Sequence, residues 1–274
     1  MKVAYVTCDN PVARFDDERE ILLGAWLGAG IEGTTLTWDD PRADWSSFDA
    51  VVVRSAWDYI ERRDEFTAWA RRVEQATRLF NSASVLEWNT DKTYLRGLGV
   101  PTVPTHWAEP GTNAELPHWE EYVVKPAISS GARDTMRTAD RDLAEAHVAK
   151  LVGAGRTAMV QPYVKAVEHE GELSLLYFGG EFSHAVRRHP MLTETAIDEA
   201  NRARLRDPDD DQFALAELVL SKVGERLLYA RVDLVRMPDG EPVLMELEAA
   251  EPYLFLRYEL DAPELFARVL ADSL

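Results

Sequence analysis

The chain has 274 residues, 46% hydrophobic and 28% charged, and a net charge of −18 from 30 basic and 48 acidic side chains. That is globular composition with material for a large core and one to two domains, not disorder. Phosphate backbones and anionic membranes demand clustered positive charge, so neither nucleic acid nor a membrane is an expected partner.

A single cysteine, Cys8, excludes an internal disulfide and a cysteine-rich zinc site. Its place near the end of an apolar strand makes it a buried thiol rather than a nucleophile. MKVAYVTC is too short for a signal peptide and no apolar run reaches 18 residues, so a cytoplasmic chain is expected.

In chain order, KVAYVT (2–7) reads as a buried strand. A helix follows through Ile21, Leu22, Ala25, Trp26 and Leu27. TTLTW (34–38) and DAVVVR (49–54) are further strands, which together predict a small parallel sheet. No G-x-G-x-x-G turn follows the first strand, so this sheet is not read as dinucleotide-binding. The third strand runs into RSAWDY. Open α/β sheets bind ligands at such carboxyl ends, which makes Arg54, Ser55 and Asp58 candidate substrate contacts, with Trp57 and Tyr59 as pocket walls. Ser55 or Asp58 could equally cap the helix expected at 60–79. Residues 79–105 read as a crossing between domains, with a short helix at 91–97 capped by Asn89, Thr90 and Asp91.

The second half opens with the strand YVVKP (122–126), a small-residue turn through Ser129, Ser130 and Gly131, and a helix at 140–152. AMVQPYV (158–164) is a strand, and GELSLLYFGGEFSHAVRR (171–188) a hairpin turning at Gly179-Gly180. Residues 190–210 read as a mobile acidic loop, 211–223 and 260–272 as helices. Lys125 at a strand end before a flexible turn suits a phosphate cradle; a plain surface turn fits the same segment.

The stretch YARVDLVRMPDGEPVLMELEAAEP (229–252) predicts a second hairpin, Ala230–Val235 and Pro242–Glu248, turning at Met237 to Gly240. Alternation puts Arg231, Asp233 and Val235 on one face, and Leu244, Glu246 and Glu248 together on the return strand. Three carboxylates can therefore converge. At about 4 Å each like-charged pair repels by roughly 1 to 4 kcal/mol at surface-like dielectrics. A hard divalent cation, Mg²⁺ or Mn²⁺, removes that repulsion and commonly shares its oxygens with a nucleotide. A hairpin with one wet acidic face is the competing reading.

The ordered combination is more specific than its parts: an α/β opening, Lys92 before a helix, G-V-P-T-V-P, V-V-K-P with its small-residue loop, Q-P-Y-V, a hairpin ending in Arg-Arg, then R-V-D and E-L-E. On these motifs nearly the whole chain resembles the ATP-grasp carboxylate–amine ligases. R-S-x-W-D-Y, W-N-x-D-K and Y-A-R-V-D-L-V are most similar to the branch of O-ureido-serine cyclo-ligases of cycloserine biosynthesis and their relatives.

The resemblance implies a mixed α/β, α+β fold: a small parallel-sheet domain over residues 1–88, then two subdomains, 89–160 and 161–274, sandwiching ATP. It implies that Lys92 and Lys125 touch the α/β phosphates and that Ser129, Ser130 and Gly131 cover the triphosphate. Gln161, Pro162, Tyr163 and Val164 would line adenine, with Glu168 (or Glu172) on the ribose. Arg187, or else Arg188, would contact the transferred phosphate. Arg231 would neutralise the developing oxyanion, and Asp233, Glu246 and Glu248 would hold Mg²⁺. Glu248 departs from the Glu-x-Asn usual in the family but remains an oxygen ligand. The expected reaction is ADP-forming: a carboxylate becomes an acyl phosphate and a nitrogen displaces phosphate, giving an amide or a ring. A small amino-acid-like substrate is expected, with the chain a monomer or homodimer. Ligation onto a peptide or protein, or a non-catalytic nucleotide-binding module, are the alternatives.

Overall fold

Strands β1 (Lys2–Thr7), β2 (Glu32–Thr37), β3 (Ala50–Ser55) and β4 (Arg78–Phe80) pair in parallel in the order β2-β1-β3-β4, in a computed structural model that describes residues 1–112, 115–189, 192 and 203–274. Helices α1 (Arg19–Gly28) and α2 (Arg63–Ala76) make the crossovers, so β3 is buried throughout, as a strand covered on both faces must be. The helix expected at 60–79 is shorter. Tyr59–Glu61 is a 3-10 turn, and Thr77 is extended with its hydroxyl on the carbonyl of Phe48 at 2.7 Å, which releases 78–80 to form β4.

After α3 (Ala83–Asn89) and a 3-10 turn at Lys92–Arg96 comes an antiparallel sheet of β5 (His106–Ala108), β6 (Tyr122–Pro126), β7 (Met136–Thr138) and β8 (Ala158–Pro162), ordered β5-β8-β6-β7. Helix α4 (Arg141–Gly153) packs on it, capped by Asp140, whose carboxylate accepts two backbone N–H groups. The third sheet joins β9 (Glu172–Phe178), β10 (Glu181–Arg188), β11 (Ala203–Leu205), β12 (Tyr229–Arg236) and β13 (Pro242–Glu248) in the order β11-β10-β9-β12-β13. Helices α5 (Asp210–Ser221) and α6 (Ala262–Ser273) complete the chain. The loop expected at 190–210 falls largely outside the described residues, but its end is not loop: 203–205 pair with β10.

A bulge in β13 corrects the facing of the acidic hairpin. Asp233 pairs with Glu246 but Leu234 pairs with Leu244, so Met245 is the extra residue. Leu244 joins Val232, Leu234 and Leu247 in the core instead of sharing a face with Glu246 and Glu248.

The core does not stop at the parallel sheet. Trp26 of α1 stacks on Phe266 of α6 at 6.2 Å, and Tyr5, Phe178 and Tyr229 belong to the same buried cluster. Asn81, just past β4, ties the sheets together. It sits in the left-handed region (φ 53°), donates through Nδ2 to the carbonyls of Tyr229 and Ala249 at 2.8 and 2.7 Å, and accepts from the Leu228 N–H at 2.7 Å. Asn81→Ala would orphan three buried backbone groups in a backbone conformation that alanine disfavours. It is expected to cost about 3 kcal/mol or more, read from the urea midpoint; a loss within 0.5 kcal/mol would show that the clamp carries no weight.

Candidate active site

Lys92, Lys125 and the carboxylates of β12 and β13 come from four separate elements and meet in one cleft. Asp91 caps the turn after α3 and sets Lys92, which is buried, with Nζ 2.7 Å from the carbonyl of Ser129 and 3.0 Å from Glu246. Burial works against its charge, but Glu246, Glu248 and Glu251 outweigh this and raise its pKa. Lys125 lies at the end of β6, where burial and neighbouring Lys92 lower its pKa against the pull of Glu246, Glu172 and Asp233.

Asp233 is 2% exposed and stays ionised. Burial alone would raise its pKa; Arg188 at 2.8 Å, Arg231 at 2.9 Å and the Ser174 hydroxyl at 2.6 Å overcome that and bring it to about 2. Arg231 also pairs with Glu248 and donates to the carbonyl of Tyr253 at 3.0 Å. Glu248 is pushed up to about 7 by burial, with Asp233 and Glu246 adding to the rise and Arg231 opposing it. Glu251, three residues on, is raised to about 8 by burial and by Glu248.

The chain after β13 is a strap held from both sides. Trp57 Nε1 donates to the carbonyl of Glu251 at 3.1 Å, and Arg54 Nη2 to that of Pro252 at 2.6 Å. The buried carboxylate of Glu18 accepts the N–H groups of Leu254 and Leu256 at 2.8 and 3.0 Å. Phe255 between them takes φ 56°, a left-handed value uncommon for a bulky residue.

This strap corrects several expectations for RSAWDY. Arg54 is 2% exposed, lies over the ring of Tyr229 and stands 3.6 Å from Glu18, so it is a brace rather than a clamp for a substrate carboxylate. Ser55 is buried against Thr7 and Asp16. Asp58 neither caps a helix nor opens to the cleft: it accepts from Trp38 Nε1 at 2.8 Å and pairs with Arg62. Trp57 and Tyr59 do reach the acidic segment, and Tyr59 feels Glu251, Glu246 and Glu248.

The two arginines at the end of β10 separate by strand alternation. Arg188 reaches Asp233 and Glu172, both at 2.8 Å. Arg187, expected at the phosphate, turns to the opposite face and donates to the carbonyls of His169 and Glu170. Gly171 permits that packing: at φ 78°, an added Cβ would lie 2.4 Å from the Arg188 carbonyl. Glu172, the alternative expected on the ribose, is paired with Arg188 and joins the charge cluster. Neither Ser174 nor Glu251 figures among the expected residues, although the alternation of E-L-S in β9 carries the signal for Ser174.

Around the expected adenine site, Gln161 is buried and donates to Thr105, while Pro162 ends β8 opposite Tyr122. The Val164 side chain is buried with Val103 and Val235, and the ring of Tyr163 carries Arg137 stacked 3.4 Å from its centroid. Glu168 accepts from Tyr163 at 3.1 Å and from Arg137 at 3.0 Å. In the loop after β6, Ser129 is buried, Ser130 half-buried and Gly131 exposed, with left-handed backbone at Gly131, Ala132 and Asp134. A surface groove of about 860 Å³ bounded by Trp88, Tyr94 and Lys222 contains none of these charges.

Among the described residues no three acidic, histidine or cysteine side chains stand close enough to share a metal, because Arg231 draws Asp233 and Glu248 while Lys92 draws Glu246. The donor set is nonetheless all carboxylate, on register-paired strands, which is the chemistry of a hard divalent cation.

Residues 3–81 match the family described as D-cycloserine synthetase DcsG, N-terminal domain. The cycloserine biosynthesis protein DcsG of Streptomyces lavendulae is 37% identical, over 100% of this chain and 99% of that protein. The chain belongs to the D-cycloserine synthetase DcsG family. A crystal structure of D-cycloserine synthetase DcsG superposes with a TM-score of 0.91 at 35% identity, covering 100% of this chain and 99% of that one. D-alanine–D-alanine ligase from Bacillus anthracis, at 15% identity and a TM-score of 0.68 over 98% and 94% of the two chains, shares the fold. The cycloserine synthetase match spans the cleft as well as the N-terminal sheet.

Two predictions follow from this geometry. Arg188→Ala is expected to lower kcat for ATP turnover about 100-fold, and Arg187→Ala to lower the melting temperature with little change in kcat; the reverse pattern returns the phosphate role to Arg187. Burial raises the Glu18 carboxyl from 4.5 to about 7. The folded chain then keeps a proton that the unfolded chain has released, so stability falls as pH rises from about 4.5 to about 7. Glu18→Gln should remove on the order of 2 kcal/mol of that decline, measured by urea denaturation at pH 5 and pH 8; an unchanged slope would refute it.

Proposed function

We propose that this chain is an ATP-dependent, ADP-forming ligase that closes the ring of a small ureido amino acid, O-ureido-serine, to give D-cycloserine. The observation that carries the reading is the convergence of Lys92, Lys125, Arg188 and Arg231 with Asp233, Glu246 and Glu248 in one cleft. Phosphoryl transfer needs little covalent chemistry from the protein, so positioning and charge neutralisation supply most of the rate.

Asp233, Glu246 and Glu248 would hold Mg²⁺, or Mn²⁺ in its place, which would supply positive charge to offset that of the phosphates. Lys92 and Glu246 neutralise each other in the free protein, so they are ready to turn to a phosphate and a cation respectively. Lys125 carries no ion-pair partner among the described residues and is the cation most available to ATP. Ser129, Ser130 and Gly131 would cover the phosphates, Gln161 to Val164 would flank adenine, and Glu168 would take the ribose on leaving Arg137.

The substrate carboxylate attacks the γ-phosphoryl group, ADP leaves, and an acyl phosphate forms. The ureido nitrogen bonded to oxygen then attacks the acyl carbon, loses its proton, and phosphate departs with the bonding electron pair. Water attacks the carbamoyl carbon left on the ring nitrogen, and the C–N bond breaks to free the cycloserine ring and a carbamate that falls apart to carbon dioxide and ammonia. Arg231 and Arg188 face the point where negative charge builds on the acyl oxygens. Trp57 and Tyr59 wall the substrate side.

The test is phosphate release from ATP and Mg²⁺ with O-ureido-serine beside a panel of amino acids. Release restricted to the ureido acid, with cycloserine formed in equal amount, is expected. Glu246→Gln should raise the half-saturating Mg²⁺ concentration about tenfold or more and lower kcat about 100-fold. ATP binding without turnover of any acid would leave a nucleotide-binding module instead.

A further inference from the structure

Every carboxylate described in the cleft has a cation against it except one. Asp233 has Arg188 and Arg231, Glu172 has Arg188, Glu246 has Lys92 and Glu248 has Arg231. Glu251 lies in the same charge field, facing Lys92, Glu246 and Glu248, yet has no ion-pair partner among the described residues. The Tyr59 phenol comes against it from the N-terminal side, and a neutral hydroxyl brings no counter-charge.

The position of Glu251 is also built from several directions. Its carbonyl is held by Trp57 and the next one by Arg54, while Glu18 fixes Leu254 and Leu256. Tyr59 is 3% exposed and packed on Phe66, so the wall opposite the carboxylate is rigid. A carboxyl group kept half-buried, fixed at both ends of its segment and left without a counter-ion is suited to a cation that arrives with the substrate and stabilises its ionised form.

The substrate's own geometry says where such a cation would fall. In an α-amino acid the ammonium nitrogen is roughly 2.5 Å from the carboxyl carbon, from the two bond lengths and the angle between them. An acid placed for phosphoryl transfer beside Arg188 and Arg231 therefore carries its ammonium in the same cleft, where a carboxylate not needed by the divalent cation must meet it.

We propose that Glu251 receives the α-ammonium of the amino-acid substrate, with the Tyr59 hydroxyl orienting its carboxylate. Glu251 is thus a specificity-determining residue, selecting acids that bear a charged amine and presenting their carboxylate to the phosphate site. The assignment rests on the ligase reading above.

The experiment compares O-ureido-serine with its des-amino analogue, in which hydrogen replaces the ammonium, in phosphate release by wild type, Glu251→Gln and Glu251→Asp, with melting temperatures measured alongside. In Glu251→Gln the KM for O-ureido-serine is expected to rise about 10- to 100-fold, the scale for stranding one partner of a close charge pair. The wild-type preference for the amino compound should shrink by the same factor, while half-saturating ATP and Mg²⁺ stay unchanged. Glu251→Asp should restore part of the preference, and it carries the same comparison if the glutamine variant does not fold. A folded variant that keeps the wild-type preference overturns the assignment, and so does a matching shift in the Mg²⁺ requirement, which would make Glu251 a metal ligand. Wild-type protein that turns over neither compound overturns the ligase reading and this assignment with it.

Discussion

Asp233 is a full negative charge inside the protein, and two guanidinium groups keep it one. Burial of an isolated carboxylate is costly enough that the group would take up a proton. Arg188 from β10 and Arg231 from β12 prevent that, Ser174 from β9 donates a hydrogen bond, and Glu248 from β13 holds the other side of the Arg231 guanidinium. Four adjacent strands each contribute a member. A one-residue slip in any of them would turn its contribution to the opposite face. The network thus fixes strand register as strictly as the apolar side chains do. The bulge at Met245 is the adjustment that lets β13 satisfy both demands, with Leu244 and Leu247 in the core and Glu246 and Glu248 in the cleft.

The parallel sheet serves the cleft indirectly. Its third strand delivers Arg54, and the turn after it Trp57, to main-chain carbonyls of the strap, and Glu18 before α1 takes two of the strap's N–H groups. These contacts determine where the Tyr253 carbonyl sits, and that carbonyl orients Arg231. The polar residues at the end of the parallel sheet therefore act largely on the backbone of the third sheet.

Most of the fold was legible because apolar runs and glycine turns mark long elements well. The Gly179-Gly180 hairpin and the β12–β13 hairpin lie where their alternation puts them. Strands β4, β5, β7 and β11 escaped, since three residues are too few to show a period of two. At the site, Lys92, Lys125, Arg231, Asp233, Glu246 and Glu248 could be read from motif order and strand alternation. Arg187 against Arg188 could not, because adjacent residues face oppositely and only the partner strands say which face is the cleft. Arg54, Ser55 and Asp58 were legible as polar residues at a sheet end, but their burial depends on Glu18, Asp16 and Trp38, which are remote in sequence. Glu251 lies beyond the strand, where alternation no longer predicts direction.

The stacking of Trp26 on Phe266 has a consequence for biosynthesis of the chain. The helix bearing Trp26 emerges early from the ribosome, and its covering helix follows some 240 residues later. At about 5–20 residues per second, the indole face waits roughly 10 to 50 seconds for its lid. During that interval the nascent parallel sheet carries an open apolar seam beside Tyr5 and Leu22, a natural landing place for chaperones.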